Sequence, residues 1–97
     1  MNENNEITRN KKVLLTGGAG RLGCIICRKM LDEGYQVRIF DLDNKKNRKS
    51  TRELAEKADI FWGDVTDKDM IKKALDGIDV VVRVHHHLTA YCTFTRS

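Results

Sequence analysis

The 97-residue chain contains no proline, so its element boundaries are marked by glycines and capping residues, and no proline-rich linker divides it. It has three cysteines, Cys24, Cys27 and Cys92, an odd set that argues against a disulfide framework and predicts reduced thiols. Aromatic residues are 6% of the chain and do not interleave with its one basic block, Lys45 to Arg52, so nucleic acid is not an expected partner. There is no internal repeat and no low-complexity tract. The polar opening Met1-Asn2-Glu3-Asn4-Asn5-Glu6 carries no apolar segment. Neither a secretory signal nor a membrane anchor is therefore expected, and the expected compartment is the cytoplasm. The rest, 40% hydrophobic and 33% charged with a net charge of +4, is the composition of one small soluble domain.

What is present is concentrated between Val13 and Gly23, which read V-L-L-T-G-G-A-G-R-L-G. The aliphatic run Lys12-Val13-Leu14-Leu15 has the pattern of a parallel strand buried on both faces. Gly17, Gly20 and Gly23 then allow a tight turn, a close backbone approach to pyrophosphate, and close packing of the following helix on the strand. Gly18, Gly20 and Gly23 also satisfy G-x-G-x-x-G, a coincidence expected in roughly a few per cent of chains of this length, so the context has to decide. A second strand, Gln36-Val37-Arg38-Ile39-Phe40, ends at Asp41, about twenty residues past the glycines, where an acid accepts hydrogen bonds from the adenosine ribose. Such a carboxylate repels a 2′-phosphate and argues for NAD over NADP. Lys45, Lys46, Arg48 and Lys49 could hold a phosphate, but Leu42 follows Asp41 directly, and the basic run reads as a solvated loop.

Further along, the first helix is expected from Gly20 to Glu33, with Leu22, Ile25, Ile26 and Met30 buried and Gly34 ending it. Asp43 to Lys49 has turn character, and Ser50-Thr51-Arg52-Glu53 is a capping-box pattern that should start a short helix through Lys57. Ala58 to Trp62 is a third strand ending at Gly63-Asp64-Val65, where the Asp64 side chain and the Val65 backbone would border an adenine pocket. Thr66-Asp67-Lys68-Asp69 is a second capping box, followed by a helix with Met70, Ile71, Ala74 and Leu75 on its apolar face and Gly77 at its end. Ile78 to Val84 is the fourth strand. The expected fold is α/β, a Rossmann-type doubly wound parallel sheet of four strands and three helices in order 3-2-1-4 over residues 11–84. A polar tail, 1–10, precedes it and an irregular tail, 85–97, follows it. That arrangement leaves the fourth-strand edge unpaired, so self-association is expected.

Two further patterns compete with plainer explanations. Cys24-Ile25-Ile26-Cys27 is formally C-x-x-C, but both cysteines also suit helix packing against a sheet. His85-His86-His87 suggests a metal site, yet adjacent histidines on an extended chain alternate sides, and no metal is expected.

Thr16 to Gly23, Asp41, Gly63-Asp64-Val65 and Asp79-Val80-Val81-Val82 together resemble the N-terminal half of the extended short-chain dehydrogenase/reductase family, the NAD-dependent epimerases and dehydratases of nucleotide sugars, across residues 11–84. The resemblance implies an NAD or ADP-ribose-like ligand. It assigns Gly17, Gly20, Arg21, Leu22 and Gly23 to the pyrophosphate loop, Asp41 to the ribose, and Asp64 and Val65 to adenine. Two departures stand out. Where the family has a His, an aliphatic residue and two alanines, this chain has Arg83-Val84-His85-His86, which is bulkier along the dinucleotide's path. The family's tyrosine and lysine, four residues apart, are absent: Tyr91 is followed four residues later by Thr95. The expected function is thus an NAD(H)-binding domain truncated before its catalytic half and inactive alone. The alternative is a stand-alone nucleotide-sensing or regulatory module.

Overall fold

The computed structural model describes residues 11–84 and, as backbone only, residues 90–94. The first aliphatic run forms β1 (Lys12–Thr16) at the centre of a sheet, with Val13, Leu14 and Leu15 fully buried. β1 pairs in parallel with β2 (Gln36–Asp41) on one side and β4 (Val80–Val84) on the other, and β3 (Asp59–Trp62) extends the sheet in parallel beyond β2. The parallel part has the expected order 3-2-1-4. Alternation along β1 then divides the core. Val13 and Leu15 join Val37, Ile39, Val80 and Val82 on one face, while Leu14 joins Phe40 and Val81 on the other.

The first face is covered by α1 (Arg21–Asp32), whose Cys27, Met30 and Leu31 supply the inward stripe. Ile25, expected inside, is 60% exposed, because it falls between the i, i+4 and i+7 positions set by Gly23, Cys27 and Met30. The helix stops at Gly34, whose N–H donates to the Leu31 carbonyl, while the Tyr35 N–H donates to that of Met30.

Residues 43–57 differ most from expectation within the parallel core. The basic stretch is a helix, α2 (Lys45–Ser50), because the Asn44 side chain accepts from the Asn47 N–H at 2.8 Å and caps it. Ser50-Thr51 does not open a helix: the Thr51 hydroxyl donates back to the Asn47 carbonyl at 2.8 Å, and only a 3₁₀ turn, Leu54–Glu56, follows. The second face is covered by α3 (Lys68–Ala74). Its cap is Asp67, which accepts from the N–H groups of Asp69 and Met70, one residue later than the capping-box pattern placed it.

The irregular-tail expectation for residues 85–97 does not hold at 90–94. Ala90–Phe94 forms β5, antiparallel to β4, with Val84 opposite Ala90 and Val80 opposite Phe94. A five-residue strand has no periodicity to read in isolation, and the β4 edge supplies its register. That edge is therefore paired, which removes the ground for self-association through it.

Arg38 secures the α3 layer. It bridges to Asp59 at 2.7 Å and donates to the Ala74 and Asp76 carbonyls at 2.8 and 3.2 Å, holding the C-terminal end of α3 with a charge of the right sign. Arg38→Met should lower the unfolding free energy by about 1.5–3 kcal/mol, the range for lost hydrogen bonds to a charged group, read as a lower urea midpoint.

Candidate functional site

The ends of β1, β2, β3 and β4 open onto a cleft of about 670 Å³ lined by Thr16, Gly17, Asp41, Asp64, Val65 and Arg83, with Leu14, Ile71 and Val81 beneath. This is the crevice outside the carboxyl ends of the strands, where α/β sheets hold ligands. The glycine loop beside it is shaped by contacts a side chain would obstruct. Gly17 has φ +72°, and a Cβ there would lie 2.7 Å from the Val84 carbonyl oxygen. At Gly23 a Cβ would come within 2.4 Å of the Gly18 carbonyl oxygen, so α1 seats directly on the loop backbone. Gly20 is different. A Cβ there would meet nothing nearer than the Gly17 carbonyl at 4.0 Å, so the fold itself does not demand a glycine at this position.

Gly20 is also the N-cap of α1, and it has no side chain with which to cap the helix. The N–H groups of the first turn, from Arg21, Leu22 and Gly23, have no partner within the helix and carry its positive dipole end. Asp41 closes the other side: its Oδ2 accepts from the Ala19 N–H at 3.0 Å and its Oδ1 from the Leu42 N–H at 2.8 Å. Asp64 accepts from both the N–H and the hydroxyl of Thr66, at 2.9 and 2.8 Å, and these bonds hold its carboxyl below the usual carboxylate range. Val65 beside it is 58% exposed. The structure thus brings Gly17, Asp41, Asp64 and Val65 around the cleft and sets Gly20, Arg21, Leu22 and Gly23 at the adjoining helix start.

Arg83 is exposed at the cleft wall, so the burial cost its place on a central strand would carry does not arise. Its neighbours His85, His86 and His87 lie outside the described residues, as do all features of the Tyr91 side chain. Among the described residues no group of three His, Cys, Asp or Glu is placed to hold a metal ion, and no helix is long and apolar enough to cross a membrane. Arg48 is already engaged: its guanidinium pairs with Asp43 and lies 5.3 Å over the Trp62 ring. Burial pushes the Cys27 thiol up to about 11 and raises that of Cys24 as well, so both are protonated at neutral pH and act as packing residues. Sequence reasoning missed Ser50, whose hydroxyl donates to the Ala19 carbonyl 31 positions away, a contact with no local signal.

Residues 14–96 match the sequence profile of the 3-beta hydroxysteroid dehydrogenase/isomerase family. The chain belongs to this family. It lies within the epimerase/dehydratase group of short-chain dehydrogenases/reductases that the motifs resemble, whose members are NAD(P)-dependent. The 3 beta-hydroxysteroid dehydrogenase/Delta 5→4-isomerase of Mycobacterium tuberculosis is 37% identical over 70 residues, 72% of this chain and 18% of that protein. Anthocyanidin reductase of Arabidopsis thaliana is 33% identical over 81 residues, 79% of this chain and 24% of the reductase. Among solved structures, Pen from Bacillus thuringiensis superposes with a TM-score of 0.70 at 28% identity, over 82% of this chain and 26% of Pen. The chain therefore spans about a fifth to a quarter of the length of these relatives.

Proposed function

We propose that the chain binds the ADP-ribose half of NAD(H), as the dinucleotide-binding domain of a dehydrogenase, epimerase or dehydratase of this family. Pyrophosphate lies on the α1 N-terminus at Gly17, Gly20, Arg21, Leu22 and Gly23, the ribose on Asp41, and adenine against Asp64 and Val65. The observation that carries this reading is Gly20, a glycine whose Cβ would meet nothing nearer than the Gly17 carbonyl at 4.0 Å, at an uncapped helix start beside the cleft that Gly17 and Asp41 line. The residues present fit the group. Bound nicotinamide exchanges a hydride with substrate; the residues of this chain hold the other half of the molecule. No tyrosine in the 97 residues has a lysine four positions on, so on this reading the chain binds without turning over a substrate. NAD is favoured over NADP because Asp41 would face the 2′-phosphate and Arg48 is committed to Asp43 and Trp62.

Gly20→Ala separates ligand space from fold. Nothing in the protein lies nearer than 4.0 Å to where the new Cβ would go, so the unfolding free energy from urea denaturation should stay within about 1 kcal/mol of wild type, the small change of cap residue included. Affinity for ADP-ribose, by calorimetric titration, should fall about tenfold or more as the methyl group holds the pyrophosphate off the backbone. Unchanged affinity would remove the α1 N-terminus from the site.

A further inference from the structure

We propose that Ser50 is a positioning residue for the dinucleotide loop, fixing through the Ala19 carbonyl the direction in which the Gly20 N–H points; the ligand side of this proposal rests on the reading above. Ala19 is 1% exposed and is held on both sides. Its N–H donates to Asp41 Oδ2 at 3.0 Å, and its carbonyl accepts from the Ser50 hydroxyl, with the Cys24 thiol a weaker second donor at 3.6 Å. The Ala19 carbonyl and the Gly20 N–H belong to one planar trans peptide and point in opposite directions. A hydroxyl that draws the carbonyl toward α2 therefore turns the Gly20 amide to the side away from α2.

Ser50 is delivered by a helix that is itself anchored. Asn44 caps the start of α2, the Asn47 side-chain amide donates to the Leu42 carbonyl at 2.7 Å, and Thr51, 2% exposed, ties its end into the protein. The Ser50 hydroxyl also lies 3.0 Å from the Asn47 carbonyl within its own helix, but the Ala19 contact is the shorter of the two. The basic segment after β2 thus has a purpose its charge does not reveal: Asp41 and Ser50, from opposite ends of residues 41–50, hold consecutive peptide groups of the glycine loop.

The test uses the full chain with Ser50→Ala and Ser50→Thr, titrated with ADP-ribose and with adenosine, alongside amide hydrogen exchange without ligand at Ala19, whose N–H is held by Asp41. Ser50→Ala should weaken ADP-ribose about fivefold, the effect of one neutral hydrogen bond, and speed Ala19 exchange. Adenosine, lacking the pyrophosphate, should bind it as it binds wild type, and Ser50→Thr should restore ADP-ribose affinity to within about twofold. Equal losses for both ligands, failure of threonine to rescue, or ADP-ribose affinity and Ala19 exchange unchanged in Ser50→Ala would overturn the proposal. Should wild type bind neither ligand, the dinucleotide reading falls, and the exchange measurement still decides whether Ser50 orients the loop.

Discussion

Gly23→Ala is expected to cost about 3 kcal/mol or more of folding free energy, enough to leave a domain of this size largely unfolded at moderate urea. The new Cβ would lie 2.4 Å from the Gly18 carbonyl oxygen and 2.5 Å from the Gly18 carbonyl carbon and Cα. All three are backbone atoms with no rotamer to change, so α1 as a whole must lift from β1. That movement opens the layer where Cys27 meets Val13, Leu15 and Ile39. Overpacking in cores typically costs 1–3 kcal/mol where side chains can shift, and a clash with backbone belongs at or beyond the upper end. Urea denaturation followed by circular dichroism reads the effect directly. A wild-type midpoint would mean that α1 does not seat on the glycine loop as described.

Asp41→Ala should weaken NAD binding about tenfold to a hundredfold, from the 1.5–3 kcal/mol net worth of a hydrogen bond to a charged group. Two contributions are combined in this variant. The carboxylate is the proposed partner of the ribose hydroxyls, and it also holds the Ala19 and Leu42 N–H groups. Titration with both cofactors separates them. NADP should lose less than NAD, because removing the charge also removes repulsion of the 2′-phosphate, so the preference between the two narrows. An equal fall for both would show that Asp41 acts only by holding the loop.

The features the sequence exposed are those written in short, regular patterns. β1, β2, β3 and β4 each carry a short run rich in aliphatic or aromatic residues, broken only by single arginines in β2 and β4, α1 is bounded by glycines, and Asp41 follows its strand at a readable distance. The errors share a physical origin. Asn44 opens a helix that ends at Ser50, where Ser50 was expected to open one through Lys57, because both residue types can accept at a helix start and the Thr51 hydroxyl is committed to the Asn47 carbonyl one turn back. β5 depends on the β4 edge for its register, and Arg38 depends on α3 ending within its reach; neither dependence leaves a local trace. At the site, the glycines and Asp41 were legible as residue types. What was not legible is that three of the glycines meet protein atoms where a Cβ would stand and one does not, since that distinction exists only once α1, β2 and β4 surround the loop.

The central place of β1 also orders the assembly of the sheet. Val13 finds Val37 after 24 residues of chain but Val80 only after 67, and a longer closure costs more entropy, by about 0.9 kcal/mol on a logarithmic law. The hairpin of β4 and β5, with Val84 opposite Ala90, closes over a far shorter span. The shorter-range pieces β1–α1–β2 and β4–β5 are joined along the seam between β1 and β4. That seam, where the Val84 carbonyl abuts Gly17, gives the glycine loop its final shape, so the cleft is complete only when this 67-residue closure has been made.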